Sequence, residues 1–243
     1  MKLLLHIISF ILLYLNSQAQ LVKYSGAMRK IHQDKQVDAS ILIDTIKAKN
    51  LYALGPVENL RGEIIIWNNN AFVAALTEDG QPYVQKNVKN LKAIFLVYAD
   101  VDQWDTILLR ETQETQINSI ADLETLISRT AHKQNIDTSI AFPFQIYARA
   151  SNGHGHIMFK DTSATEITTE VLEKARTENS FTDQYIQMLG FYSQHHQSIF
   201  THHNTYLHIH YRLRNKYQAG HLEHLKLDPD YPIKLLLPKK SNP

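Results

Sequence analysis

Histidines near the end of the chain are the residues with the spacing to bind a metal ion. The stretch 205–225, TYLHIHYRLRNKYQAGHLEHL, holds four of the 13 histidines in this 243-residue sequence. Its composition predicts two antiparallel strands, 205–213 and 219–225, joined by a two-residue turn at Asn215 and Lys216, where asparagine tolerates positive φ. The pattern therefore predicts a hairpin that displays imidazoles on a sheet surface.

The register of this hairpin decides whether the histidines converge. Side chains alternate along a strand, so His208 and His210 share a face. A two-residue turn sets His210 opposite His221 and His208 opposite Glu223, with opposed Cβ atoms about 4.5–5.5 Å apart. Three histidines with open positions for water or substrate are typical of catalytic Zn²⁺. A longer loop would shift the register and turn His221 to the other face, and an incidental H-x-H is the plain alternative.

The remaining histidines give weaker signals. His154 and His156, in GHGH, have strand spacing and could form a second metal pair, but Gly153 and Gly155 are equally consistent with a turn. Four more histidines fall in SQHHQ and THHN, segments that indicate solvated loops. These are His195, His196, His202 and His203.

Composition limits the chemistry available. The chain is 44% hydrophobic with a formal net charge of +1, which is enough apolar sequence for a core and gives no reason to expect a nucleic-acid partner. There is no cysteine, so disulfides and thiolate ligands are excluded, and any metal must rest on histidine or carboxylate side chains.

The first residues resemble an export signal. Lys2 precedes an apolar run over residues 3–15, and small residues follow at Ser17 and Ala19. The run is shorter than the roughly 20 apolar residues of a membrane span. We expect a signal peptide over residues 1–19 and an exported mature chain, periplasmic or extracellular, with no membrane attachment after cleavage. An uncleaved anchor or a buried helix is the alternative.

Periodicity predicts mixed helices and strands without regular βαβ alternation, which favours an α+β fold. Two subdomains are predicted: an α+β part over 20–134 and a β-rich part over 135–243 that carries the histidine hairpin. Helices are predicted at 39–50, 119–132 and within 168–180. Strands are predicted at 64–67, 71–76, 91–101, 139–153, 155–161 and 231–240.

Three segments in order resemble the acetolactate decarboxylase family. YLHIHYRLRNKYQAGHLEHL is similar to the family segment HLHF…GGHV, LYALGPVENLRGEIII to GLGTFNxLDGE, and PFQIYARA to FYAIR. IKLLLP also resembles the family's last strand. Together these segments extend over most of the chain after residue 20.

The resemblance implies an α+β fold with two mixed or antiparallel sheets and flanking helices. It also implies a zinc ion on His208, His210 and His221. It places the family's glutamate on Glu63 and its arginine on Arg149. It implies a carboxy-lyase that converts 2-acetolactate to acetoin and CO₂ without an organic cofactor, and a homodimer as one option for its assembly. Without the resemblance, Glu63 would be interpreted as a solvated turn carboxylate and Arg149 as a surface cation.

The sequence also departs from the family. Pro56 replaces a threonine and lacks both a hydroxyl and an N–H, Arg61 replaces an acidic residue, and the tail KKSNP lacks the family's C-terminal glutamate. We expect Glu223 to replace that tail ligand in part. The departures keep two alternatives open: a zinc lyase or isomerase acting on another α-hydroxy-β-keto acid, and an inactive secreted metal-binding relative.

Overall fold

The computed structural model describes residues 22–110, 116–214 and 218–239 and is dominated by two antiparallel sheets. The predicted signal peptide, the turn at Asn215 and Lys216 and the tail from residue 240 lie outside these ranges. Within them, no helix is both long and apolar enough to cross a membrane.

The first sheet has six strands in the order β1-β8-β3-β4-β5-β6. These strands are β1 (Val22–Ser25), β3 (Leu51–Pro56), β4 (Glu63–Trp67), β5 (Asn70–Leu76), β6 (Pro82–Lys86) and β8 (Leu96–Asp100). The predicted hairpin at 64–76 is confirmed, with a turn at Asn68 and Asn69, which both adopt positive φ. The apolar run predicted as one strand over 91–101 is divided into two, Lys92–Ala93 and Leu96–Asp100, and Leu96 and Val97 are fully buried.

The second sheet also has six strands, in the order β11-β12-β13-β10-β14-β9, and β10 pairs with β11 as well. That extra pairing closes β10, β11, β12 and β13 into a ring. The strands are β9 (Trp104–Leu109), β10 (Phe142–Met158), β11 (Arg176–Tyr192), β12 (Leu207–Leu213), β13 (Gln218–Leu227) and β14 (Ile233–Pro238). The last strand agrees with the sequence prediction.

The described ranges hold three α-helices, which are α1 (Met28–Gln33), α2 (Ile120–Lys133) and α3 (Thr169–Lys174). In α2, the predicted cap is confirmed, since Ser119 Oγ accepts the Asp122 N–H at 3.1 Å. Leu123 and Ile127 of α2 are fully buried against the second sheet. The fold is therefore α+β as predicted, while the proposed division after residue 134 stays a prediction.

Two element predictions were wrong. The stretch 39–50 is not a helix: it holds β2 (Ile41–Leu42), which pairs with β7 (Lys92–Ala93), and one 3₁₀ turn (Ile43–Thr45). The Ser40 N–H donates to the Ala93 carbonyl at 2.9 Å, so tertiary pairing outweighs a weak helical pattern rich in β-branched isoleucine.

The second error concerns 139–153 and 155–161, which do not form two separate strands. β10 runs without interruption for 17 residues, through the glycines that could have marked a turn. A Cβ on Gly155 would lie 2.0 Å from the His221 carbonyl oxygen and 2.6 Å from Tyr211 Cε1. Glycine is therefore required because β10 and β13 approach closely at this point.

Candidate metal centre

Three histidines meet on one face of the hairpin formed by β12 and β13. The predicted pairing of His210 with His221 is confirmed. The ligand atoms of His208, His210 and His221 all lie within 4.8 Å of one another, and all three residues are buried. His208 Nε2 and His210 Nε2 are 3.1 Å apart. Two nitrogens bound to a tetrahedral zinc ion are separated by about 3.3 Å, so the spacing fits such an ion.

The protonation of these rings also fits a metal. His210 Nδ1 lies 2.9 Å from the Ile64 carbonyl oxygen, so its N–H donates there and Nε2 keeps its lone pair. Burial lowers the pKa of His210 to about 3, although the Ile64 carbonyl acts in the opposite direction. Burial also lowers the pKa of His208 and His221 well below the ordinary value. Neutral imidazole is the form that binds metal ions.

Glu63 reaches this centre from the first sheet. It is 3% exposed, its Oε1 accepts the Met158 N–H at 3.1 Å, and its Oε2 lies 3.7 Å from His210 Nε2. Burial raises the pKa of Glu63 to about 8, against the opposing effect of the Met158 N–H. In the metal-free site, burial therefore favours the protonated carboxyl at neutral pH. Pro56 is the residue paired with Glu63 across the sheet.

Arg149 does not reach the centre. It lies on β10 seven residues before His156, the residue paired with His221, which amounts to about 23 Å along a strand. Its guanidinium donates to Asp183 at 2.8 Å and lies over the Tyr231 ring in a separate cleft of about 690 Å³. The structure therefore does not bring Arg149 together with Glu63.

A different arginine stands near the histidines. Arg176, the first residue of β11, pairs with Met158, whose N–H binds Glu63. Arg176 Nη2 lies 3.3 Å from Glu223 Oε1, and the side chain is 39% exposed. Arg61, the other departure from the family pattern, contacts the Lys160 carbonyl and the Phe159 ring instead. Arg176, rather than Arg149 or Arg61, is thus the arginine that lies beside this cluster, and its Nε also donates to Glu178 at 2.7 Å.

Two further histidines join the cluster. His156 Nδ1 lies 2.9 Å from Glu223 Oε1, and its ring centroid is 4.9 Å from that of His221. His202, predicted to be a solvated loop residue, places Nε2 2.9 Å from His221 Nε2. His154 stacks on His224 and takes no part, so the predicted pair of His154 and His156 does not form. Neither His156 nor His202 has a local spacing that predicts this convergence.

Glu223 lies beside the centre by an irregularity in β13. The described pairing of β12 with β13 ends at His210 and His221, so the predicted pairing of His208 with Glu223 is absent. On the other edge, the pairing of β13 with β10 shifts by one residue around Glu223. This bulge leaves Glu223 Oε1 3.8 Å from His221 Nε2. Although burial opposes ionisation, His156 and Arg176 lower the pKa of Glu223.

Comparison with known proteins relates the chain to one fold. No family model and no curated protein sequence matches it. Among solved structures, alpha-acetolactate decarboxylase from Bacillus subtilis strain 168 matches with a TM-score of 0.69 at 13% identity, over 90% of this chain and 86% of that one. A Staphylococcus aureus protein of unknown function, described as similar to alpha-acetolactate decarboxylase, gives 0.64 at 14% identity, over 89% and 85%. The chain therefore has an acetolactate decarboxylase-like α+β fold.

Proposed function

We propose that this chain is an exported zinc-dependent decarboxylase that converts 2-acetolactate to acetoin and CO₂. The observation that carries the proposal is the meeting of His208, His210 and His221 with the buried carboxyl of Glu63, inside a fold similar to that of acetolactate decarboxylases. The three histidines would hold Zn²⁺, with Glu223 as a candidate additional ligand.

The chemistry follows from the residues around the histidines. Zinc would supply a Lewis acid for the negative charge that develops on the substrate oxygens as CO₂ leaves. Loss of CO₂ from a β-keto acid leaves an enediolate that needs a proton on carbon. Glu63 is the residue placed to hold and deliver that proton, because its carboxyl lies at the histidines and burial favours its protonated form.

Arg176 is the residue we assign to the substrate carboxylate. Its guanidinium already contacts two carboxylates, those of Glu178 at 2.7 Å and Glu223 at 3.3 Å, and its side chain remains partly open to solvent. A planar guanidinium can bind a carboxylate through two parallel hydrogen bonds. Arg149 has no part in this assignment.

A related substrate is the second candidate. Pro56 stands directly across from Glu63 and has no hydroxyl or N–H, so a polar group next to the proton donor is missing. This observation favours a lyase or isomerase that acts on another α-hydroxy-β-keto acid. An inactive secreted metal-binding relative would not need a buried proton donor at the histidines.

The test uses the chain from Gln20 onward. We expect about one zinc per chain by mass spectrometry of the metal and acetoin formation from racemic 2-acetolactate. Glu63→Gln should keep the zinc and lose roughly 10²–10⁴-fold in rate, the usual contribution of a general acid. The exposed Glu173→Gln variant is the matched control. Zinc without acetoin would direct the proposal to the second candidate, and absence of zinc would refute it.

Export and assembly are separate proposals. Expression with residues 1–19 present and N-terminal sequencing of the secreted product should give Gln20 as the first residue. Light scattering of the mature chain tests for a homodimer. A product that retains Met1 would contradict cleavage without bearing on the metal centre.

A further inference from the structure

We propose that His202, His221 and Glu223 form an outer site for a divalent cation, which delivers the ion to the inner site at His208, His210 and His221. The inference rests on the proposed metal centre and does not require the proposed decarboxylation. It assigns a function to a loop histidine that has none in the chemistry described above.

The donor atoms of the outer site are already grouped. The ligand atoms of His202, His221 and Glu223 lie within 4.8 Å of one another. His202 Nε2 and His221 Nε2 are 2.9 Å apart, and His221 Nε2 and Glu223 Oε1 are 3.8 Å apart. These two distances bracket the spacing of about 3.3 Å between ligands of a tetrahedral zinc ion. Two nitrogens and one carboxylate oxygen form a donor set that zinc and cobalt accept.

The two sites differ in access to solvent. His208 and His210 are 2% and 0% exposed, whereas His202 and Glu223 are half-buried. His202 also belongs to the connection between β11 and β12, while the inner ligands all lie on strands. An ion that arrives from solvent therefore meets His202 and Glu223 before the inner pair.

His221 links the sites because it belongs to both groups. Its Nε2 lone pair can bind one ion at a time, so an ion held by His202 must leave that ligand as His208 and His210 take over. The inner ligands are three neutral imidazoles, whereas Glu223 offers a negative charge that attracts a cation from water. Arg176, 3.3 Å from Glu223, offsets part of that charge and keeps outer binding weak enough for transfer.

His156 holds the outer carboxylate in place. It is 6% exposed, and its Nδ1 contacts Glu223 Oε1 at 2.9 Å. A histidine that orients a ligating carboxylate is a common arrangement around metal ions, and its loss typically lowers affinity by about 10–100-fold. His156 is therefore a positioning residue for Glu223.

The experiment measures Co²⁺ binding to the metal-free mature chain, using the visible absorption of bound Co²⁺ in stopped-flow and equilibrium titrations. His202→Ala should slow uptake by at least about tenfold, by analogy with the loss of a supporting group at a metal site, and leave the final affinity within about twofold. His203→Ala, at the exposed neighbouring position, is the matched control and should change neither quantity.

A second pair of variants isolates the outer site from the inner one. His208→Ala should retain one weakly bound Co²⁺ per chain, and His208→Ala combined with His202→Ala should retain none. Circular dichroism of each variant confirms that it is folded. Unchanged uptake in His202→Ala, or residual binding in the single variant that does not depend on His202, would overturn the proposal. A lower final affinity of His202→Ala with an unchanged uptake rate would also overturn it, since His202 would then support the ion at the inner site. These readings hold whether or not the wild-type protein forms acetoin.

Discussion

Replacement of Glu63 by glutamine should change how the stability of the metal-free protein depends on pH. The native carboxyl keeps its proton up to about pH 8, because burial raises its pKa from 4.5. The unfolded chain releases that proton above pH 4.5. The native state therefore binds more protons in this window, and its stability must fall as pH rises from 4.5 to 8.

The magnitude follows from the shift. Each pH unit inside the window removes about 1.4 kcal/mol from the free energy of unfolding, so Glu63 should destabilise the native state by about 2–3 kcal/mol more at pH 7 than at pH 5. Glutamine has nearly the same shape, can still accept the Met158 N–H and does not ionise. The variant should gain that amount of stability relative to wild type between the two pH values.

The assay is urea unfolding followed by circular dichroism at pH 5 and pH 7, in the presence of a chelator because a bound cation would favour the ionised carboxylate. The buried histidines act in the opposite direction, because they destabilise the native state as pH falls below 6.5, but this contribution is common to both proteins. The exposed Glu173→Gln variant is the control and should follow wild type. If the stability difference between Glu63→Gln and wild type is the same at both pH values, Glu63 is not protonated in the metal-free native protein, and the raised pKa that supports its assignment as proton donor is refuted.

Three other perturbations test the site. Gly155→Ala should lower zinc affinity by at least about tenfold and the free energy of unfolding by about 1–3 kcal/mol, because the added Cβ would displace the backbone of His221. Isothermal titration measures the affinity and urea unfolding the stability, and an unchanged affinity would contradict the close approach of the two strands. Arg176→Lys should raise KM for a carboxylate substrate about tenfold, since a bidentate contact is worth about 1.5–3 kcal/mol. Arg149→Lys should leave KM unchanged in the same assay, and a larger effect of Arg149→Lys than of Arg176→Lys would refute the assignment. Zinc at a free concentration 100 times Kd should stabilise the metal-free chain by about 2.7 kcal/mol in thermal or urea unfolding, and His210→Ala should abolish this gain.

Local geometry is what made the hairpin predictable. Side chains alternate along each strand, and an assumed two-residue turn at Asn215 and Lys216 predicts the observed pairing of His210 with His221 from 21 residues of sequence. The helix α2 was predictable for the same reason, since its cap at Ser119 and its apolar face are both local features. In each case the signal and the structure extend over the same short stretch of chain.

The rest of the site depends on contacts between distant segments. His202 reaches His221 from a connection with no periodic pattern, and His156 does so from a strand whose glycines also fit a turn. Gly155 of β10 is explained by the close approach of Tyr211 and His221, and Gly153 by that of Phe181 and His224, contacts that no local pattern contains. The position of His156 could have been predicted only from the pairing of β10 with β13, which places it opposite His221.

The case of Arg149 shows why a motif can place a residue in the right strand and the wrong site. β10 is 17 residues long, and Arg149, near its middle, lies seven residues away from His156, which faces His221 near the end of the strand. The cation at the site comes instead from Arg176 on the next strand, whose pairing with Met158 places it beside the residue that binds Glu63. The chemistry requires a positive charge at a certain position near the substrate. Any strand that passes the histidines can supply the residue that carries this charge. The charge should therefore be sought by its distance from the metal ligands and tested by the difference between the Arg176 and Arg149 variants.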